Sequence, residues 1–134
     1  DSAVLAVLGL GVQGLAHARQ LAQAFALQRL CVHSPHLTDA QVQALQAECG
    51  VPVLACSAAE AVAQADLVVT ASRSRTPLFD GALLKPGTFV AAVGSSLPTT
   101  RELDDTALAR ASVVAMTAGS RLAPPVLLPP NEAV

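Results

Sequence analysis

The stretch Ala3-Val-Leu-Ala-Val-Leu-Gly-Leu-Gly-Val-Gln-Gly14 decides the fold class. Its first six residues form a continuous apolar run that ends in glycine, which is typical of a strand buried on both faces of a parallel sheet. From Val12 to Ala26, apolar residues recur at helical spacing, so a helix is predicted directly after the glycines. Strand, glycine turn and helix together are the context in which a G-x-G-x-x-G motif binds a dinucleotide.

Each glycine of the motif has a predicted role. Gly9 permits the tight turn, Gly11 lets a pyrophosphate approach the backbone, and Gly14 lets the helix pack closely on the strand. The helix N-terminus adds free N–H groups and a partial positive charge for the phosphates. The motif therefore predicts binding of NAD or NADP, and the alternative is a glycine-rich turn that binds nothing.

Downstream, strand and helix patterns alternate. This alternation predicts a three-layered, Rossmann-type, doubly wound parallel α/β sheet with right-handed crossovers. The predicted strands are residues 29–33, 51–54, 67–70, 88–93 and 112–116. The predicted helices are residues 39–49 with a capping box of Thr38 and Gln41, 58–65 with a capping box of Ser57 and Glu60, and a last helix through Arg110 capped by Thr99 and Glu102.

The chain is expected to be one domain of a larger, two-domain protein. Its first residues already resemble a core strand, and no initiator Met precedes them. Residues 1–116 are predicted to form the NAD(P)-binding domain. Residues 117–134 carry four prolines and match no helix or strand template well, so they are interpreted as a connecting segment toward a missing domain.

Composition argues against several functional classes. Of the 134 residues, 52% are hydrophobic, 13% are charged and 2% are aromatic, with a net charge of −2, so the basic and aromatic surface used for nucleic acids is missing. No apolar run reaches the roughly 20 residues of a membrane span. Cys31, Cys49 and Cys56 lack C-x-x-C spacing and are expected to be buried free thiols in a reducing cytoplasm, without a metal site.

The end of the second strand bears on cofactor choice. A site that prefers NAD usually has Asp or Glu there, whereas this sequence has His33-Ser-Pro-His36. Ser34 can hydrogen-bond a 2′-phosphate and His36 can carry positive charge, which favours NADP over NAD. Alternatively, both histidines are exposed turn residues. Arg73 and Arg75 follow the fourth strand and either contact phosphate or belong to a solvated loop.

Several blocks along the chain together resemble the ornithine cyclodeaminase/mu-crystallin family from about Val4 to Val114. They are Leu8-Gly-Leu-Gly-Val-Gln-Gly14 with Ala16-His-Ala18, Ala65-Asp-Leu-Val-Val-Thr-Ala71, Gly81-Ala-Leu-Leu-Lys-Pro-Gly87, Ala92-Val-Gly-Ser-Ser-Leu-Pro98 and Arg101-Glu-Leu-Asp104.

The resemblance implies the NAD(P)-binding half of an enzyme that is usually dimeric. The other domain would lie mostly upstream and supply substrate contacts and the subunit interface. Family chemistry is hydride transfer at the carbon of a small amino or imino acid. By position, the implied contacts are Gly11, Val12 and Gln13 on the pyrophosphate, Ser34, Pro35 and His36 on the adenosine ribose, Ala71 and Ser72 at the middle of the cofactor, and Val93, Gly94 and Ser95 on the nicotinamide side.

Ser96 departs from the family pattern. The cyclodeaminases resemble one another in carrying an aspartate there as general acid/base, and a serine hydroxyl does not replace a carboxylate as proton acceptor. Reduction of a preformed ketimine of the pyrroline-2-carboxylate type is therefore favoured, with Ser96 as the candidate catalytic residue. The alternatives are an ornithine cyclodeaminase that forms proline and ammonia, and a non-catalytic protein that binds a dinucleotide or another ligand. His17 is interpreted as a core or surface histidine, or as a residue near the cofactor phosphates.

Overall fold

The computed structural model describes residues 3–94, 102–111, 113–114 and 125–127 of the chain. Within these residues, strands and helices alternate as the sequence predicts. The strands are β1 (Ala3–Leu8), β2 (Leu27–His33), β3 (Val53–Ala55), β4 (Leu67–Thr70), β5 (Phe89–Ala92), β6 (Val113–Val114) and β7 (Pro125–Leu127). The helices are α1 (Val12–Ala24), α2 (Asp39–Cys49), α3 (Ala58–Gln64) and α4 (Asp105–Arg110), and a 3₁₀ turn covers Gly81–Leu83.

All of these strands belong to one sheet in the order β3-β2-β1-β4-β5-β7-β6. Strands β1 to β5 pair in parallel, and β1 lies between β2 and β4. The chain therefore changes winding direction beside β1, and ligands of open α/β sheets bind at the carboxyl ends of the strands at such a point. The predicted Rossmann-like α/β fold is confirmed.

Two apolar cores cover the two faces of the sheet. Successive side chains of a strand point to opposite faces, so β1 contributes to both cores. Val7 packs in one core with Ala18 of α1 and Leu45 of α2. Leu8 belongs to the other core together with Val62 of α3, and this core also includes a residue of α4. The arrangement gives the three predicted layers and brings the loops after β1, β2, β4 and β5 to one edge.

The two predicted capping boxes of α2 and α3 are confirmed. Thr38 Oγ1 accepts a hydrogen bond from the Gln41 backbone N–H (3.3 Å), and the Gln41 side chain accepts one from the Thr38 N–H (2.9 Å). Ser57 and Glu60 make the same reciprocal pair, with both distances 3.1 Å. Gly50 ends α2 with a φ of +71°, which is the left-handed conformation that favours glycine.

The predicted start of the last helix is wrong. Thr99 lies outside the described residues, but Glu102 does not cap this helix, which begins at Asp105 with Asp104 as its N-cap. Asp104 Oδ1 accepts from the Ala107 N–H (2.8 Å), and Oδ2 accepts from the Gly81 N–H (3.0 Å). One aspartate thus both caps α4 and binds the 3₁₀ turn, and the N-cap lies five residues after the predicted Thr99.

Smaller differences from the prediction have local causes. Helix α1 ends at Ala24 because β2 already begins at Leu27. Strand β3 begins at Val53, after Pro52, which has no N–H for the ladder. The tail was expected to be irregular, but Pro125–Leu127 forms β7, which pairs antiparallel with β5 and with β6. Among the described residues, no helix is both long enough and apolar enough to cross a membrane.

Candidate cofactor-binding site

The first glycine of the motif sits where only a glycine fits. Gly9 directly follows β1 and has a φ of +101°. A Cβ at this position would lie 2.5 Å from the carbonyl oxygen of Ala71, the residue after β4. The Gly9 N–H also donates to the carbonyl of His33 at the end of β2 (2.8 Å). The turn is therefore fixed against the ends of both neighbouring strands.

The other two glycines have opposite surroundings. A Cβ on Gly14 would lie 1.8 Å from the carbonyl oxygen of Gly9, so a side chain there would push α1 away from the turn. A Cβ on Gly11 would meet no protein atom within 4 Å. Gly11 is the N-cap of α1, no side chain caps it, and no acidic residue occupies the first turn. The N–H groups at this end of α1 are thus open to an anion.

A cleft of about 620 Å³ opens beside this turn. It is bordered by the loops that follow β1, β2 and β4, which is the edge expected for a dinucleotide site. Its lining combines six of the residues predicted to contact the cofactor with His33 and Arg73. The six are Gly9, Gly11, Ser34, Pro35, Ala71 and Ser72.

The remaining predicted contacts lie around or outside this cleft. Val12 and Gln13 are exposed in the first turn of α1, Val12 to 85%. Gly14 is buried beneath the turn, and His36 is exposed outside the lining. Val93 and Gly94 are half-buried directly after β5. Ser95 and Ser96 lie outside the described residues.

The end of the cleft beside β2 has no carboxylate among its lining residues. Ser34 and Pro35 follow β2 there, and the exposed Arg73 lies across the same cleft. His33 is half-buried, with Nδ1 3.1 Å from the carbonyl oxygen of Cys56. Arg75 is exposed and does not line the cleft. The Ser34 hydroxyl and the Arg73 guanidinium thus both belong to the lining, and no lining carboxylate would repel an anion there.

Glu102 is a site residue that the sequence analysis missed. Its side chain is 1% exposed and accepts hydrogen bonds from Ser72 in the cleft lining and from the Gly94 N–H after β5. The sequence carried one signal: Asp104 is a second possible cap for the same helix, five residues after Thr99. With Asp104 as the cap, Glu102 is free for another role.

His17 and the cysteines lie away from the cleft. His17 Nδ1 is 2.7 Å from the Gln13 carbonyl oxygen, and the ring borders a separate apolar groove beside β4 and β5. The three thiols are free; Cys31 is buried, whereas Cys49 and Cys56 are only half-buried, which differs from the prediction for those two. Burial and the nearby Cys31 raise the pKa of Cys56 to about 11. In the described part of the chain, no three His, Cys, Asp or Glu residues form a metal-binding group.

The cleft fits a dinucleotide in three respects. The space over Gly11 is open, the N–H groups of α1 have no side-chain cap, and the lining includes both Ser34 after β2 and Ser72 after β4. Residues 1–121 also match the model of the ornithine cyclodeaminase/mu-crystallin family. The chain belongs to this family. The resemblance inferred from the sequence blocks is thereby confirmed.

Relatives within and around this family include named reductases. The ketimine reductase mu-crystallin of Macropus fuliginosus is 35% identical over 105 residues, which cover 78% of this chain and 33% of that protein. The solved structure of a probable ornithine cyclodeaminase from Bordetella pertussis Tohama I is 52% identical, with a TM-score of 0.79, over 82% of this chain and 35% of that one.

The iminosuccinate reductase of Paracoccus denitrificans, solved in complex with NAD⁺, is 28% identical, with a TM-score of 0.76, over 84% of this chain and 35% of that one. The chain therefore spans about a third of the length of the proteins that it matches.

Proposed function

We propose that this chain is the NAD(P)-binding domain of an enzyme that reduces a small ketimine of the pyrroline-2-carboxylate type. The observation that carries the proposal is the open space over Gly11 at the uncapped start of α1, within a cleft lined by Ser34 and Ser72. A pyrophosphate needs this kind of backbone approach, and the N–H groups there match its charge.

The chain's own residues bind and orient the cofactor. The backbone of Gly11, Val12 and Gln13 holds the pyrophosphate; Ser34, Pro35 and His36 hold the adenosine ribose. Ala71 and Ser72 contact the middle of the cofactor, and Val93, Gly94 and Ser95 border the nicotinamide. The bound cofactor supplies the hydride, and fixing it at a distance suited to the imine carbon is the domain's contribution to the rate.

A serine at position 96 is more compatible with reduction of a ketimine than with cyclodeamination of ornithine. Ornithine chemistry needs a base that takes a proton during oxidation of the amine, and an unactivated serine hydroxyl is a poor one. A ketimine is already an imine, so a hydroxyl at Ser96 needs only to hydrogen-bond the substrate or a water during hydride delivery. This argument, together with the similarity to a ketimine reductase, favours the reductase.

The second candidate is an ornithine cyclodeaminase. The 52% identity to a probable ornithine cyclodeaminase supports it, because that likeness extends over most of this chain. The two activities differ in products, since a cyclodeaminase releases ammonia from ornithine.

We also propose that the cofactor is NADP rather than NAD. Ser34 and Arg73 are both in the cleft lining, and no carboxylate of the lining would repel a 2′-phosphate. A carboxylate at the end of β2 is what usually selects NAD.

The rest of the protein is proposed to come from the same polypeptide. The match covers only about a third of the length of these proteins, so a second domain is proposed to supply the substrate contacts and the surface of a homodimer. The three free thiols suit a reducing compartment, and the cytoplasm is the proposed location.

The test is a titration of NADPH and of NADH into the complete protein, followed by assays with pyrroline-2-carboxylate and with ornithine. Tighter binding of NADPH together with ketimine turnover is the expected result. Ammonia release from ornithine in the presence of NAD⁺ would favour the cyclodeaminase instead. Binding of neither dinucleotide would refute the proposal as a whole.

A further inference from the structure

The side chain of Glu102 joins the carboxyl ends of two neighbouring strands. One oxygen, Oε2, accepts from the Ser72 N–H (2.6 Å) and from the Ser72 hydroxyl (2.8 Å). The other, Oε1, accepts from the Gly94 N–H (2.8 Å) and from the Thr70 hydroxyl (3.0 Å). Thr70 and Ser72 belong to β4 and its following loop, and Gly94 follows β5. One carboxylate therefore fixes both strand ends.

Burial of this carboxylate is unfavourable for the stability of the fold. Glu102 is 1% exposed, and its four donors among the described residues are all neutral. Removing a carboxylate from water is unfavourable in general, and hydrogen bonds to it offset that cost only when they are well placed. An apolar side chain would fill such a position at less cost, so the arrangement points to a positional role.

Glu102 also orders the loop that borders the cleft. A carboxylate only accepts, so the Ser72 hydroxyl must donate to it and can in turn accept from the Ser74 N–H (3.2 Å). The Glu102 backbone carbonyl accepts from the Leu78 N–H (2.9 Å). Ser72, Ser74 and Leu78 all line the cleft, so three lining residues depend on one glutamate.

The space between the two strand ends is too small for a side chain at Gly94. A Cβ there would lie 2.1 Å from the Ser72 carbonyl oxygen and 2.6 Å from Glu102 Oε2. The loops after β4 and β5 thus approach within backbone contact, and the carboxylate sits where they meet.

We propose that Glu102 is a positioning residue that sets the nicotinamide half of the cofactor cleft by holding Ser72 and Gly94. The inference rests on the proposed function, because it assumes that Ser72 contacts the middle of the cofactor and that Gly94 borders the nicotinamide. It assigns no contact between Glu102 and the cofactor itself.

Glu102→Gln is the informative substitution because it preserves size. A glutamine offers one acceptor oxygen and one amide NH₂ group. In either orientation, the backbone N–H of Ser72 or of Gly94 faces a donor in place of an acceptor. Both hydroxyl groups are able to rotate, but a backbone N–H is not, so one strand end loses its anchor.

The experiment compares two ligands in the complete protein. The preferred reduced dinucleotide contains the nicotinamide, and the matching ADP-ribose, with or without the 2′-phosphate, contains only the remainder. Glu102→Gln should weaken dinucleotide binding at least about tenfold and ADP-ribose binding less than about twofold, measured by calorimetry. Glu60→Gln is the matched control, since Gln41 already performs the same capping role in α2 and Glu60 lies outside the cleft lining.

Thr70→Val keeps the test decisive if Glu102→Gln does not fold. This change removes one hydroxyl donor to the carboxylate at a buried position that does not line the cleft. It should weaken dinucleotide binding about threefold, again without affecting ADP-ribose. Equal weakening of both ligands, or no weakening of the dinucleotide in a folded variant, overturns the inference. A wild-type protein that binds no dinucleotide refutes the proposed function instead.

Discussion

A methyl group added at Gly11 would contact no protein atom, whereas one added at Gly14 would collide with the backbone. Alanine substitutions at the two positions therefore test cofactor binding and folding stability separately. Gly11→Ala should change the free energy of unfolding by less than about 1 kcal/mol, because the added Cβ meets no protein atom within 4 Å. The same variant should bind NADPH at least about tenfold more weakly, since the methyl group occupies the space over the helix N-terminus. Urea unfolding and fluorescence titration measure the two effects.

Gly14→Ala is the counterpart in which folding is affected. Its Cβ would lie 1.8 Å from the Gly9 carbonyl oxygen, so α1 must move away from the turn. A loss of more than about 3 kcal/mol is expected. If Gly11→Ala were the less stable variant, the assignment of the two glycines would be incorrect.

Ser34 provides a test of cofactor preference. Ser34→Asp places a carboxylate in the cleft lining directly after β2, where such a group accepts from the ribose hydroxyls of NAD and repels a 2′-phosphate. NADPH binding should weaken at least about tenfold, and NADH binding should be unchanged or tighter. Calorimetric titration of both cofactors measures the ratio, with Ser34→Asn as the uncharged control. An unchanged ratio would mean that the 2′-phosphate binds elsewhere.

Sequence patterns predicted the helix starts correctly only where the capping residue and its hydrogen-bond partner are close together in the sequence. Thr38 hydrogen-bonds with Gln41, and Ser57 with Glu60, in each case three residues along the chain, so the capping boxes could be predicted from spacing alone. Glu102 shows the same spacing from Thr99, but it binds Ser72, whose place beside it depends on the pairing of β4 with β5. A residue recruited by distant strand ends has no short-range signal.

The glycine turn and the tail show the same limit. Gly9, Gly11 and Gly14 are assigned from one local motif; the close contacts at Gly9 and Gly14 agree with their turn and packing roles, and the pyrophosphate contact of Gly11 stays a prediction. The short strand β7 was missed because Pro125–Leu127 lies among prolines, and its pairing with β5 connects segments far apart in the sequence. Pro125 is tolerated because it is the first residue of the strand.

Asp66 connects the starts of β1 and β4 and should make stability depend on pH. Desolvation raises its pKa, but the Val4 N–H (2.9 Å) and the Lys85 ammonium (2.9 Å) outweigh that effect, so the pKa lies below its ordinary value. The folded state thus binds the proton more weakly than the unfolded chain. The stabilisation is full above the unfolded value of about 4 and is lost as the pH falls through the lower folded value.

Asp66→Asn should therefore lower the free energy of unfolding at about pH 7 by no more than about 1 kcal/mol, because both side chains of the ion pair are more than 40% exposed. The difference from the wild type should shrink below about pH 4. Urea unfolding across this range tests the prediction, and Lys85→Gln is the control that removes the ion pair but keeps the Val4 hydrogen bond. A difference that grows toward acidic pH would contradict the sign of the shift.

At the scale of the whole molecule, we expect residues 1–134 alone to bind the cofactor but not to catalyse the reaction. Residues 1–134 alone should bind NADPH with an affinity within about tenfold of the complete protein, because the described cleft contains the glycine turn and the lining that the proposal needs. They should not reduce pyrroline-2-carboxylate, because the proposed substrate contacts lie in the rest of the polypeptide. Fluorescence titration and loss of NADPH absorbance measure the two properties. Turnover by residues 1–134 would place the substrate site within this chain.

The place of β1 between β2 and β4 also sets an order of events during synthesis. β1 is synthesised before the other strands. One of its edges can pair with β2 soon afterwards, but its other edge stays unpaired until β4 is made, when Leu5 comes to lie opposite Leu67 and Leu8 opposite Thr70. An apolar strand with an unpaired edge is a template for incorrect pairing. We therefore expect the nascent protein to be most prone to aggregation while the segment between His33 and Thr70 is being translated.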